Sequence, residues 1–453
     1  MARPGTSEKR RTLAAPGRPD RSSRSWRAPP PVRHVASRPG RPTDAPSSPA
    51  SARARPSEAL GAMAVQVALT GATGFLGLRL LRRLLDTHRS LTVLAHAGSG
   101  DALRRITRFF ELTGAPEAFT AELPVRLRVV ETDLARPRLG LSERAFRDLA
   151  DTTGAIWHSA GSINLEGDLP ELRRTNVEGT RHVLELAAAS RLRPRVHHVS
   201  TAFVAGSRRE GVAYEDELDD TCGFENAYER SKYEAELLVH AWSREHGRPV
   251  LVLRPSILVT DLPPHPELPS HPLLVIERIL REALRAAGPE GDRGVSPHAP
   301  GCHTGSAPRV RMVGHRHGRL NLLQVEHAAE VMVRLAGRTP SGGVDTYHVV
   351  HDRDVPVPTF VALLERLGPF SIDLVAGRSG RPSALEALLD FYPGMTAYLA
   401  HRRRFDDTRV RALLGPSAAS AAVGLDYLWS GVAPGPLPVS GPPATASPPA
   451  RCA

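Results

Sequence analysis

The stretch Val65–Asp86, VQVALTGATGFLGLRLLRRLLD, constrains this chain more than any other. Val65–Leu69 is a short apolar run suited to a buried parallel strand. Thr70–Gly77 interrupts it with three glycines, Gly71, Gly74 and Gly77, and Leu78–Leu85 resumes with apolar residues at helical spacing. Glycine carries no Cβ, so a strand that runs through such a turn into a helix lets its backbone approach a bound group closely. The helix start adds unpaired N–H groups and the positive end of a dipole. Together these features suit the pyrophosphate of a dinucleotide.

From Met63 onward the pattern alternates strand and helix, which predicts a parallel sheet. Strands are expected at Leu91–His96, Val125–Glu131, Gly154–His158, Arg195–Ser200 and Pro249–Arg254. Helices are expected at Asp101–Leu112, near Asn176–Ala189 and at Asn226–His246. After Pro255 the texture changes. Helices are expected at Leu273–Ala287, near Val325–Leu335, and as short segments at Thr359–Leu367, Ser383–Leu389 and Thr408–Leu414. Strands are expected at Val310–Val313 and Asp345–Val350, and Gly288–Pro308 reads as a loop that is either a lid or a tolerated insertion. The expected fold class is α/β, a Rossmann doubly wound parallel sheet with a smaller C-terminal substrate-binding lobe. The boundaries are a basic tail over 1–62, a dinucleotide-binding domain over 63–260, the lobe over 261–430 with some strands returning to the sheet, and a Pro- and Ala-rich tail over 431–453.

The formal net charge of +11 sits mainly in the first 62 residues. Twelve arginines and one lysine there stand against Glu8, Asp20, Asp44 and Glu58, giving +9 and leaving +2 for the remaining chain. A basic tail, rather than a basic fold, sets the charge, and nucleic-acid binding by the folded part is poorly supported. The tail has almost no aliphatic periodicity and is expected to be disordered. It reads first as sequence upstream of a true start at Met63, next as a basic arm, and last as an Arg-rich presequence, whose helix its many prolines suit badly. Cys222, Cys302 and Cys452 are far apart and suggest neither a zinc site nor a disulfide framework, which fits the cytoplasm. No apolar run approaches the ~20 residues that span a bilayer.

Two more motifs carry chemistry. Tyr228-Glu-Arg-Ser-Lys232 opens a helix and sets a phenol and an ammonium four residues apart on one face. The chain holds only two lysines, Lys9 and Lys232, so Lys232 is the sole lysine from Met63 onward. A cation ~4 Å from a phenol, at an effective dielectric of ~20, favours the phenolate by ~4 kcal/mol. That would bring a group titrating near ~10 into the range of general acid–base work at neutrality. Ser200-Thr201-Ala-Phe-Val-Ala-Gly206 begins at a strand end, where Thr201 is able to donate to a carbonyl oxygen as charge develops on it.

With these residues in view, the chain resembles the extended short-chain dehydrogenase/reductase superfamily. Within it the chain is most similar to the thioester-reductase and fatty-acyl-CoA-reductase branch, which includes the reductase domains of carboxylic acid reductases. The resemblance runs through TGATGFLG, Val130–Ser142, Ile156–Leu165, Thr175–Thr180, His198–Gly206, Ala227–Glu236, Leu253–Leu258 and Arg403–Val410. It implies that Thr201, Tyr228 and Lys232 are catalytic and that Lys232 also meets the nicotinamide ribose. Gly71, Thr73, Gly74, Phe75, Leu76 and Gly77 would hold the pyrophosphate, and Asp133 and Leu134 would meet the adenine. Ser159, Ala160 and Gly161 would line the cofactor channel, with Pro255, Ser256 and Ile257 flanking the nicotinamide.

The branch often places an arginine after the second strand for the 2′-phosphate of NADP, whereas this chain has His96 there, with no carboxylate for an NAD ribose. Arg104 or Arg105 would then supply the charge, and NADP(H) is expected over NAD(H). Thr260-Asp261 replaces the branch's Gly-Asp. The expected activity is NAD(P)H-dependent reduction of an acyl thioester, carried by coenzyme A or by a carrier protein acting in trans, to aldehyde or alcohol. Two rivals stand: an extended dehydrogenase or epimerase acting on a small-molecule hydroxyl or ketone, and a non-catalytic NADP-sensing protein. His197-His198 and His315-Arg-His317 have no partners at ligand spacing, so no metal site is expected.

Overall fold

The computed structural model describes residues 66–98, 100–286 and 309–437. The expectations for residues 1–62, for Gly288–Pro308 and for the tail beyond 437 lie outside the described residues.

Seven parallel strands form the central sheet: β1 (Gln66–Thr70), β2 (Leu91–His96), β3 (Leu127–Thr132), β4 (Thr153–His158), β5 (Arg195–Val199), β6 (Val250–Pro255) and β7 (Val344–Val349). Their order is β3-β2-β1-β4-β5-β6-β7. Helices cover both faces, so the strands are apolar on both sides. Val67 and Leu69 join one core with Leu81 and Leu85 of the helix Phe75–Thr87, while Ala68 joins the other with Leu186 and Val239. Strand order reverses between β1 and β4, and a crevice opens there at their carboxyl ends. This is the doubly wound sheet that the sequence predicts.

A second core lies in the later part of the chain. The helix Pro272–Ala286 contributes Leu273 and Leu280, the strand Arg309–Val313 contributes Val310 and Met312, and the helix Val357–Glu365 contributes Phe360 and Leu364. Arg309–Val313 pairs in parallel with Ser371–Val375, and Ile257–Val259 pairs in parallel with Leu322–Gln324.

The third strand differs from expectation. Val125 and Arg126 close a helix, Glu117–Arg126, and β3 begins at Leu127. The reason is a long-range anchor. The Arg126 guanidinium donates to the carbonyls of Leu85, His88 and Arg89, which tethers this turn to the end of the Phe75–Thr87 helix. Val125, read as a strand residue, is instead exposed. The helix Val357–Glu365 begins two residues before its expected start because Pro358 occupies its first turn, where a missing N–H costs nothing. The helix Glu143–Thr152, capped by Ser142, has no counterpart in the sequence reading.

Candidate active site

The glycine turn is built by close approach. Gly71 adopts φ +72°, and a Cβ there would sit 2.7 Å from the Ala160 nitrogen. A Cβ on Gly77 would sit 1.8 Å from the Gly71 carbonyl oxygen, so only glycine fits. Gly74 is the N-cap of the Phe75–Thr87 helix; no side chain caps that end and no acidic residue occupies its first turn. The end is therefore open to an anion.

Behind the turn, a hydroxyl–imidazole chain fixes the ends of β1 and β4. Thr70 Oγ1 donates to His158 Nδ1 (2.9 Å) and accepts from the backbone N–H groups of Ser159 and Ala160 (3.1 Å each). His158 Nε2 lies 3.0 Å from Thr180 Oγ1. Burial, then the nearby Lys232 charge, holds the His158 pKa down at about 3, so the ring is neutral. Asn176 accepts from the Ser162 N–H (2.8 Å) and donates to Ser231 Oγ (2.8 Å), tying this loop to the helix Ala227–His246.

Tyr228 and Lys232 lie in that helix, whose N-cap is Asn226; its Oδ1 accepts from the Glu229 N–H at 3.0 Å. Thr201 follows β5 and caps the short turn after it. The Thr201 hydroxyl donates to the Pro255 carbonyl at 3.5 Å and neighbours the Tyr228 phenol. Lys232 is buried and donates to the Val199 carbonyl at 2.9 Å.

The electrostatics correct the expectation of a stabilised phenolate. Burial pushes the Tyr228 pKa up to about 12, outweighing the lowering by Thr201, and the neighbouring Glu229 charge adds to the rise. Burial also pulls Lys232 down to about 8. The ammonium faces a backbone carbonyl, and desolvation exceeds the pair attraction assumed from helical spacing. Tyr228 is therefore a protonated phenol at neutral pH, the state that a proton donor needs.

A cavity of about 370 Å³ connects these parts. Its walls include Gly71, Gly74, Phe75, Leu76, Gly77, Ser159, Ala160 and Gly161 at one end, and Thr201, Tyr228, Lys232, Pro255, Ser256 and Ile257 beyond. A nucleotide cofactor fits the residues present. The glycines leave room where a Cβ would clash, and the buried Ser200 and Ser256 hydroxyls on the cavity wall have no partner among the described residues. Thr73, His96, Arg105, Asp133 and Leu134 do not line this cavity. His96 ends β2 and is exposed, and Arg105 is exposed in the helix Ala102–Leu112. The Asp133 carboxylate accepts from the Ala135 N–H (2.9 Å), and the Leu134 carbonyl is bonded to His182 Nδ1 (2.8 Å). Among the described residues, no three His, Cys, Asp or Glu side chains are grouped to hold a metal ion.

Sequence reasoning missed the segment that closes the cavity, which includes Tyr392, Met395 and Tyr398. A signal was available. The chain holds seven tyrosines, and three of them, Tyr228, Tyr392 and Tyr398, line this one cavity.

Residues 69–332 match a family described as male sterility protein, an NAD-binding family. The chain belongs to this family. It has the NAD-binding fold of the extended short-chain dehydrogenase/reductase type, with which its sheet and glycine turn agree. Relatives include an isonitrile lipopeptide synthase of Streptomyces coeruleorubidus, 38% identical over 42% of this chain and 13% of that protein. The L-2-aminoadipate reductase large subunit of Penicillium chrysogenum is 25% identical over 81% of this chain and 26% of that protein. The chain thus spans a small part of these relatives' length. Among solved structures, the terminal R domain from the myxalamid PKS-NRPS biosynthetic pathway aligns with TM-score 0.61 and 26% identity, covering 81% of this chain and 89% of that one. UDP-glucuronic acid 4-epimerase from Bacillus cereus, solved with NAD, shares the fold at TM-score 0.53 and 16% identity over 81% of this chain and 97% of that one. Among the described residues, no helix is long and apolar enough to cross a membrane.

Proposed function

We propose that this protein is an NADPH-dependent reductase of acyl thioesters, acting in the cytoplasm on a substrate carried by coenzyme A or by a carrier protein. One observation carries the reading. The cavity runs from the glycine turn past Thr201, Tyr228 and Lys232 into an apolar chamber walled by the later part of the chain. In this reading residues 63–260 hold the cofactor and residues 261–430 form the substrate lobe. Gly71, Thr73, Gly74, Phe75, Leu76 and Gly77 would hold the pyrophosphate, with Pro255, Ser256 and Ile257 beside the nicotinamide. His96, with Arg105 near it in the chain, would receive the 2′-phosphate, and Asp133 and Leu134 the adenine.

When bound, the nicotinamide supplies the hydride that the thioester carbonyl carbon accepts. Thr201 and Tyr228 both line the cavity, and together they would hold the carbonyl oxygen between two donors. Tyr228 gives that oxygen its proton as negative charge develops there. The C–S bond of the resulting hemithioacetal then breaks, releasing thiol and aldehyde. Lys232, anchored on Val199, keeps positive charge beside the reaction and its side chain aligned with the ribose site.

The nucleotide-sugar reading of the fold's other members finds less support. A sugar nucleotide carries a second pyrophosphate, and among the described lining residues Lys232 is the only cation. The test is a panel of acyl-CoA thioesters, ketones and aldehydes, with NADPH and NADH in parallel, followed by nicotinamide absorbance. Thioester-dependent oxidation favouring NADPH is the expected result. Turnover of ketones alone would overturn the reading.

A further inference from the structure

We propose that residues 398–405 form a positioning strap, in which Arg403 keeps Thr201 and Tyr228 aimed at one carbonyl oxygen. The inference rests on the reading above, in which these two hydroxyls hold that oxygen. They come from separate elements. Thr201 caps the turn Ala202–Ala205, and Tyr228 lies in the first turn of the helix Ala227–His246. Both turns are gripped by the same short segment.

On the helix side, two side chains close the first turn around Tyr228. Asn226 Oδ1 accepts from the Glu229 N–H, and Glu229 Oε2 accepts from the Glu225 N–H. Tyr398 bonds both side chains, donating to Glu229 Oε1 (2.8 Å) and accepting from Asn226 Nδ2 (2.9 Å). His401 Nε2 donates to Glu225 Oε1 at 2.8 Å. On the other side, Arg403 Nη1 donates to the carbonyls of Gly206 and Arg208, which follow the Thr201 turn. Its guanidinium lies over the rings of Phe203 and Phe405, 5.0 and 5.2 Å from their centroids. Its charge is offset by Glu229 and Glu225.

The strap's backbone is anchored in turn. The carbonyls of Leu399 and His401 accept from the N–H groups of His315 and Arg319 (2.9 and 2.8 Å), and Arg404–Phe405 pairs in parallel with Val212–Ala213. Arg403 is buried and does not line the cavity, so it acts through the groups it holds. A guanidinium brings a planar fork that bonds two carbonyls while stacking on rings; a lysine keeps the charge but offers one compact ammonium. A misplacement of ~1 Å at the reacting groups costs on the order of a hundredfold in rate.

The test uses the full chain with octanoyl-CoA and NADPH, comparing Arg403→Lys with Arg404→Ala at the exposed neighbouring side chain. Arg403→Lys is expected to lower kcat about 10- to 100-fold with KM and NADPH affinity unchanged, and Arg404→Ala to leave kcat as it was. Unchanged kcat in Arg403→Lys would overturn the proposal. In a Tyr228→Phe background most of the loss should vanish, because the phenol being aimed is gone. An equal fold-loss in both backgrounds would mark a general defect and overturn it too. Amide hydrogen exchange needs no substrate. Residues 203–206 and 225–229 are expected to exchange faster in Arg403→Lys, and β1 at its former rate. If no thioester is reduced, the thioester reading fails, and exchange alone decides the strap: unchanged exchange at 203–206 and 225–229 overturns it. Should Arg403→Lys not fold, His401→Leu removes the bond to Glu225, which Arg209 still pairs at 3.5 Å. Faster exchange at 225–229 with a lowered kcat is then the expected result, and no change in either would overturn the proposal.

Discussion

The Tyr398 hydroxyl donates to the carboxylate of Glu229 at 2.8 Å, and Glu229 directly follows Tyr228 in the helix Ala227–His246. Glu229 is fully buried, its other oxygen accepts from the Glu225 N–H at 2.9 Å, and burial raises its pKa to about 7. The Tyr398 ring packs edge-on against Phe203, two residues after Thr201. One tyrosine therefore couples the cavity wall to both strand-end and helix-start. Tyr398→Phe removes the donor to a buried carboxylate and the acceptor of Asn226. The expected loss of stability is about 1–3 kcal/mol, read from urea unfolding. A loss below ~0.5 kcal/mol would mean that this link carries no load.

The titrations of Lys232 and Tyr228 predict the shape of the rate profile. Tyr228 remains protonated to about 12, whereas Lys232 sheds its proton at about 8. The thioester-dependent rate is expected to fall above pH 8, by about tenfold per unit, as the positive charge beside the reaction is lost. A basic limb that appears only above pH 10 would assign the titration to the phenol instead.

The glycine turn makes a sharp claim about one atom. In Gly77→Ala the new Cβ meets the Gly71 carbonyl, and the turn has to shift. Overpacking of this kind costs about 1–3 kcal/mol, so NADPH affinity measured by fluorescence is expected to drop by about 10- to 100-fold. Gly343→Ala, where a Cβ meets nothing within 4 Å, serves as the control and should bind normally.

Acid sensitivity follows from the central sheet. His197 on β5 is buried with its Nδ1 unpartnered, and burial lowers its pKa to about 3. An unfolded histidine titrates near ~6.5, so below that pH the unfolded chain binds a proton that the folded chain refuses. The contribution is present above ~6.5 and is lost as pH falls toward the folded value, by ~2 kcal/mol at pH 5. His197→Gln should shrink the difference in unfolding free energy between pH 7.5 and pH 5 by about that amount. An unchanged difference would show that His197 accepts a proton in the folded state.

The sheet was legible because its strands are short apolar runs punctuated by glycine turns, and that pattern is local. Leu91–His96 and Thr408–Leu414 have the bounds that the sequence predicts. Val125–Arg126 misled because Arg126 is held by carbonyls some forty residues earlier in the chain, which no local pattern records. Thr201, Tyr228 and Lys232 were legible as motifs, and they do line one cavity with Ser159–Gly161 and Pro255–Ile257. Their electrostatics were not, since helical spacing says nothing of the Val199 carbonyl that takes the ammonium. Tyr398 was hidden for a similar reason. Its partner Glu229 is 169 residues away, and no local pattern links the two.

The most direct measurement is NADPH consumption with octanoyl-CoA by the unaltered protein and by Tyr228→Phe, each with its NADPH affinity determined separately. If Tyr228 is the proton donor, the phenylalanine protein binds NADPH with near-normal affinity and turns over about 10²- to 10⁴-fold more slowly. Equal turnover by the two proteins would contradict the account.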